Sequence, residues 1–143
     1  LLMKSLLFIT SVFLGLNFSG CGSEATGPER VIVTGSVTFD GKPVSQGEIW
    51  FIPTAGREAP QAGAIIKEGQ YRVENKGGVP IGACQVKITA ERPQEEIKIV
   101  SDGGPEEIPT TQYLPARFNE KTELTTDIQS SSDPVRKDFD LKS

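Results

Sequence analysis

Hydrophobic and polar residues alternate with a period of two over much of the chain after residue 30. Residues 31–39 show the pattern first, because Val33, Val37 and Phe39 fall on one face and Thr34 and Thr38 on the other. β-Branched residues in such alternation are typical of a half-buried strand. The same pattern predicts six further strands, over residues 48–53, 61–67, 70–74, 83–91, 122–128 and 135–141.

Two short segments between these strands carry turn residues. Asp40-Gly41 and Glu68-Gly69 each place a glycine where a hairpin turn needs a positive φ. The inward positions form one apolar set: Ile49, Phe51, Ile66, Tyr71, Val73, Cys84, Val86, Ile88, Ala90, Phe139 and Leu141. Closely spaced strands without helical periodicity predict an all-β fold, a seven-stranded antiparallel β-sandwich of the prealbumin-like or immunoglobulin-like kind.

Three stretches are predicted to lack regular structure. Residues 77–82 form a loop, and residues 129–134 form a Ser-rich turn. Residues 92–111 are acidic and rich in Gly and Pro, with only residues 97–100 suited to a short strand. Because a loop of that length is unusual in a compact domain, it is functional, disordered or partly structured.

The amino-terminal segment has the pattern of a secretory signal. Lys4 precedes an apolar run over residues 5–16, which is short of the about 20 residues that a transmembrane helix requires. We therefore divide the chain into a helical signal peptide (1–20), a cysteine with a flexible Gly/Ser/Pro tether (21–30) and a β domain (31–143).

The signal segment ends in residues 18–21 (FSGC), which resemble the bacterial lipobox. The resemblance implies that Cys21 carries a diacylglycerol thioether and anchors the protein in a membrane. Gly22-Ser23 follows without an aspartate, which by the same resemblance points to the outer membrane of the cell envelope. Plain secretion with cleavage near Gly20 and an uncleaved interfacial helix remain alternatives.

Several segments of the β domain resemble one known family. They are residues 33–44 (VTGSVTFDGKPV), 47–53 (GEIWFIP), 68–73 (EGQYRV) and 79–88 (VPIGACQVKI). Together they resemble the carboxypeptidase regulatory-like, or transthyretin-like, β-sandwich domain. Residues 113–119 (YLPARFN) and 139–141 (FDL) resemble small bacterial lipoproteins built on that domain. The resemblance implies an envelope protein without known catalysis.

Composition narrows the chemistry. The chain has no histidine, which removes the commonest general base and metal ligand, and the hydrolases related to transthyretin need histidines. A formal net charge of −4 disfavours nucleic acid as a partner. Cys84 is expected to be a small core residue rather than a nucleophile. No catalytic residue, metal site or cofactor is predicted, and adjacent glutamates in residues 92–111 are interpreted as solvated rather than as calcium ligands.

Four residues are candidates for contacts with a partner: Trp50, Tyr113, Arg117 and Phe118. Trp50 points outward and either stacks on a ligand or packs beneath residues 92–119. Residues 113–119 either cover a sheet edge or offer a binding edge. The sequence therefore predicts a lipid-anchored, non-catalytic interaction or structural module of the cell envelope. The alternative is a carbohydrate- or peptide-binding module that uses the face around Trp50.

Overall fold

The computed structural model describes residues 27–54, 56, 58–93 and 110–143. These residues form strands and two short 3₁₀ turns, at Asn75–Gly77 and Ala116–Phe118, with no α-helix among them. The strands are β1 (Arg30–Val31), β2 (Val33–Phe39), β3 (Lys42–Pro43), β4 (Gln46–Pro53), β5 (Ala62–Lys67), β6 (Gln70–Val73), β7 (Val79–Pro80), β8 (Gly82–Pro93), β9 (Thr110–Gln112), β10 (Thr125–Ile128), β11 (Val135–Arg136) and β12 (Phe139–Leu141). The prediction of an all-β fold is confirmed.

Both predicted hairpin turns are present. Asp40 and Gly41 have φ values of 48° and 77° and join β2 to β3, where Phe39 pairs with Lys42. Glu68 and Gly69 have φ values of 49° and 76° and join β5 to β6. A positive φ at both central residues defines the turn that matches the natural twist of paired strands, which explains why glycine stands second in each.

The main sheet has the strand order β10-β8-β4-β5-β6-β2-β11 and curls at the hairpin between β5 and β6. β5 pairs with β4 from Ala62 to Lys67, whereas β5 and β6 pair only between Lys67 and Gln70. The two strands diverge beyond that point. The inward faces of β4 and β6 consequently meet, and the rings of Phe51 and Tyr71 lie 6.1 Å apart.

The last part of the chain differs from the prediction of one antiparallel strand over residues 135–141. It forms two short strands, and both β11 and β12 run parallel to β2. The strand is interrupted at Lys137, whose backbone N–H donates to the Thr34 carbonyl oxygen at 2.8 Å. Because β10 and β11 lie at opposite edges of the sheet, the chain crosses between them over residues 129–134.

The core contains the inward residues that alternation predicts. Phe51, Ile49, Ile66, Val86 and Ile88 have no exposed surface, and Cys84 is 1 % exposed. Leu141 is buried, and Phe139 is half-buried against the rings of Phe51 and Tyr71. Residues 113–119 also contribute to the core, through Leu114 and Phe118.

Several predicted boundaries were wrong. The loop predicted over residues 77–82 contains β7, which pairs with β1. β8 extends past its predicted end at residue 91, and Arg92 and Pro93 pair with Thr111 and Thr110, so both ends of the predicted irregular stretch are strands. The strand predicted from residue 122 begins at residue 125. The signal segment, Cys21, most of the tether and residues 97–100 lie outside the described residues.

Candidate binding site

β1 and β7 form a separate two-stranded sheet beside one end of the main sheet, opposite the end where β4 begins. Arg30 pairs with Pro80, and Gly82, two residues further on, pairs with Ile128. Cys84 then pairs with Pro53, the last residue of β4. Gln46 is the first residue of this 8-residue strand and therefore lies at the other end of the sheet. At about 3.3 Å per residue, Gln46 is roughly 23 Å from Pro53.

Trp50 lies on the outward face of the sheet formed by β4, β5 and β8. Pairing places Trp50 between Gly63 of β5 and Lys87 of β8. The indole covers Gly63 so closely that its Cδ2 and Cε3 atoms lie 2.6 Å from the position where a Cβ would be. Because Gly63 has no side chain, the indole can pack directly against the sheet. The ring is half-buried, so part of it faces solvent.

Glu48 holds the indole from the same strand. The Nε1 of Trp50 donates a hydrogen bond of 3.0 Å to Oε2 of Glu48. Contact with Gly63 on one side and Glu48 on the other restricts the rotation of the indole. The aromatic surface is thus ordered before any partner arrives, which reduces the entropy lost on binding.

A shallow groove of about 400 Å³ lies beside Trp50, towards the Gln46 end of the sheet. Ile65, Glu48 and Thr89 lie in register across three strands and form its floor. Gln46, Gly47, Glu91 and Gln112 complete its lining. Ile65 is 59 % exposed and is the large hydrophobic side chain most open to solvent among the described residues. The groove therefore combines one apolar side chain with a polar rim.

Hydrogen bonds fix the polar side chains at the β9 side of the groove. Oε1 of Gln112 accepts from the backbone N–H groups of Ala90 and Leu114, both at 3.1 Å. The amide Nε2 of Gln112 therefore points away from these groups and has no partner among the described residues. Oε2 of Glu91 accepts from the Thr110 hydroxyl at 2.6 Å. A donor and an acceptor are thus held side by side.

Tyr113, Arg117 and Phe118 do not join Trp50 in one cluster. The Tyr113 ring packs 6.0 Å from that of Phe39, and the Arg92 guanidinium lies 5.5 Å from its centroid. Arg117 is exposed and donates to the carbonyl oxygen of Lys142 at 2.5 Å. Phe118 is 7 % exposed and belongs to the core, which explains the apolar character of this segment.

Hydrogen bonds of Asn119 fix the conformation of residues 113–119. The side-chain amide of the buried Asn119 donates to the carbonyl oxygens of Leu114 and Pro115, at 3.3 and 3.2 Å. The Oδ1 of Asn119 accepts from the backbone N–H of Glu120 at 2.7 Å. With all these groups paired, the segment covers the core next to β8.

The described residues contain little else that indicates chemistry. Among them no three His, Cys, Asp or Glu side chains approach closely enough to hold a metal ion. Within the same part of the chain, no helix has the length and hydropathy that crossing a membrane requires. Cys84 lies in the core, where its Sγ is 3.6 Å from the Gly82 carbonyl oxygen.

Comparison of the chain with protein-family models, curated proteins and solved structures gives no match. The site must therefore be interpreted from its own residues.

The sequence pointed to Trp50 but not to the groove beside it. Gln46, Thr89, Glu91 and Gln112 come from three strands, and only the pairing register places them together. The alternation of β8 marks Thr89 and Glu91 as outward residues, which is the one sequence signal for them. Gln112 gave no signal, because β9 lies in the stretch where no strand was predicted.

Proposed function

We propose that the protein is a lipid-anchored, non-catalytic interaction module of the cell envelope, with Cys21 as the site of lipid attachment. The observation that carries this proposal is that β1 and the groove lie at opposite ends of the domain. The chain enters at Arg30, whereas the Trp50 face and its groove extend towards Gln46. An anchor upstream of Arg30 would leave the groove at the end of the domain remote from the membrane, where a partner can reach it.

The length of the tether fits this arrangement. Residues 22–29 separate Cys21 from the first strand. At about 3.3–3.6 Å per residue they span at most about 30 Å when extended. The domain would remain close to the lipid surface, and the residues nearest to it would be those around Arg30, Gly77 and Ser131, which line one cavity.

The absence of catalysis is part of the proposal and has chemical support. The chain contains no histidine, and the thiol of Cys84 is buried away from solvent. The polar side chains of the groove bond to the backbone, to a threonine and to the indole instead of forming an acid–base pair. Such an arrangement suits binding better than proton transfer.

We also propose that the domain is a seven-stranded β-sandwich of the carboxypeptidase regulatory-like group. The curled sheet and its buried alternating positions support this, since two inward faces meet around Phe51, Tyr71 and Phe139. The parallel pairing of β11 and β12 with β2 is a specific feature by which the domain can be compared with that group.

The anchor is tested by the intact mass of the protein from the membrane fraction, beside a Cys21→Ala variant. We expect a mature chain that begins at Cys21 and carries acyl mass, and we expect the variant to lose both. A mature chain without acyl mass would remove the anchor from the proposal. Turnover of a substrate that saturates and is abolished by one point mutation would contradict the non-catalytic part.

A second candidate function, a carbohydrate- or peptide-binding module, is favoured by the half-exposed indole of Trp50. A tryptophan ordered on an open sheet face is a common contact surface for ligands. Because Trp50 is the chain's one tryptophan, its quenching by acrylamide reports its exposure directly. Quenching as weak as that of a fully buried indole would argue against a contact surface.

A further inference from the structure

We propose that the groove beside Trp50 binds a neutral, polyhydroxylated chain, a glycan without carboxylate or sulfate groups. The inference rests on the second candidate function above and does not depend on the anchor. It commits that candidate to one chemical class and one site.

The first step concerns the backbone. β4, which runs beneath the groove, pairs with β5 on one side and with β8 on the other. Its N–H and C=O groups are therefore occupied by neighbouring strands. An extended peptide that binds by strand addition needs a free edge, which β4 does not offer. Along β4, recognition must come from side chains, which disfavours a peptide there.

The second step concerns charge. Among the described residues, two carboxylates, Glu48 and Glu91, line the groove, and no lysine or arginine does. Two lysines flank the groove from outside its lining: Lys67 lies opposite Gln46 at the rim, and Lys87 lies opposite Trp50. The negative charge of the lining repels an anionic polymer and leaves a neutral ligand as the better match.

The third step concerns the polar groups that remain. Gln112 presents its amide Nε2 as a donor because its Oε1 is occupied by two backbone N–H groups. Glu91 presents its other carboxylate oxygen, and Glu48 does the same beside the indole. A sugar hydroxyl both donates and accepts, so adjacent hydroxyls suit a neighbouring amide donor and carboxylate acceptor.

The fourth step concerns the apolar part of the site. The C–H face of a sugar ring is apolar and packs on an aromatic ring. The indole of Trp50 lies next to the groove, joined to it through Glu48, and Ile65 extends the apolar surface within it. A volume of about 400 Å³ falls in the range of small-ligand sites. The ordered side chains lose little freedom on binding.

The test is isothermal titration calorimetry of the full-length protein with three neutral hexasaccharides: cellohexaose, maltohexaose and hexa-N-acetylchitohexaose. An oligogalacturonate of similar length serves as the anionic probe. We expect at least one neutral chain to bind and the oligogalacturonate to bind at least about tenfold more weakly. Preference for the anionic probe, or no heat from any neutral chain, would overturn the proposal.

Variants locate the site. Trp50→Ala removes the stacking surface, and Gln112→Glu keeps an oxygen for the backbone N–H groups while removing the donor. Each is expected to weaken binding at least about tenfold. Thr125, in β10, lies on the same face of the sheet as the groove but outside it. Thr125→Ala is the matched control and should bind the hexasaccharide as the parent does. Thermal denaturation of each variant shows that it is folded. Equal weakening in the control would place the ligand elsewhere and would also overturn the proposal.

The anchor and the groove can fail separately. If Cys21→Ala removes the acyl mass and leaves glycan binding unchanged, both proposals stand. If the acyl mass is absent and the hexasaccharide still binds, only the anchor is lost.

Discussion

The hydroxyl of Tyr71 donates a hydrogen bond of 2.6 Å to the carbonyl oxygen of Lys137. That carbonyl lies at the break between β11 and β12, and a Cβ on Gly35 would come within 1.7 Å of the same oxygen. The segment from β11 to β12 therefore packs closely against β2. Gly35 leaves room there for the Lys137 carbonyl, and the Tyr71 hydroxyl binds that carbonyl. Asp138, beside it, accepts from the backbone N–H of Ser36 at 2.7 Å.

We predict that Tyr71→Phe destabilises the domain by about 1–2 kcal/mol, because the Lys137 carbonyl loses its donor in a partly buried place. Urea denaturation measures the change. Tyr113→Phe is the matched control, since the Tyr113 hydroxyl has no hydrogen-bond partner among the described residues, and it should cost less. Equal losses in the two variants would show that the hydroxyl of Tyr71 has no special role.

The same residue predicts a loss of stability at alkaline pH. Burial raises the pKa of the Tyr71 phenol above its usual 10.0, and the nearby Asp138 carboxylate adds to the effect while Arg136 opposes it. Because the folded state then holds the proton more tightly than the unfolded state, the stabilisation is complete below pH 10 and declines as the pH rises above it. We expect the melting temperature of the parent to fall more steeply than that of Tyr71→Phe above pH 10. Parallel curves would contradict this assignment.

Gly35→Ala should be far more destabilising than an alanine at a turn glycine. The new methyl group would overlap the Lys137 carbonyl oxygen and force β11 and β12 away from β2, at a cost of about 3 kcal/mol or more. Gly41→Ala meets no atom within 4 Å and bears only the cost of its φ of 77°, about 1–2 kcal/mol. Chemical denaturation of both variants gives the comparison, and a loss at position 35 no larger than that at 41 would refute the close contact.

Gly63→Ala should move the indole of Trp50. The added Cβ would lie 2.6 Å from two atoms of the ring and 2.7 Å from the Ile49 carbonyl oxygen. We expect the ring to swing towards solvent, with emission at longer wavelength and stronger acrylamide quenching. Gly27→Ala, where no atom lies within 4 Å, is the control and should leave the spectrum unchanged. An unchanged spectrum in both would show that the indole does not rest on Gly63.

The alternation of side chains was sufficient to predict the class of fold and most of its core. Val33, Ile49, Phe51, Val86 and Ile88 are buried as expected, because a half-buried strand must place every second residue inward. The Asp-Gly and Glu-Gly pairs likewise specified their turns locally. These features depend on neighbours in sequence, so a single sequence carries them.

What the sequence by itself determined was therefore the all-β class, the inward faces of the longer strands and the two tight turns. Only the tertiary structure decided which strands pair, that β11 and β12 run parallel to β2, and that Phe118 belongs to the core. It also decided that Gln112 stands beside Glu91 in one groove with Glu48. The physical reason is that register and strand order come from contacts between residues distant in sequence, and local alternation is the same for many pairings.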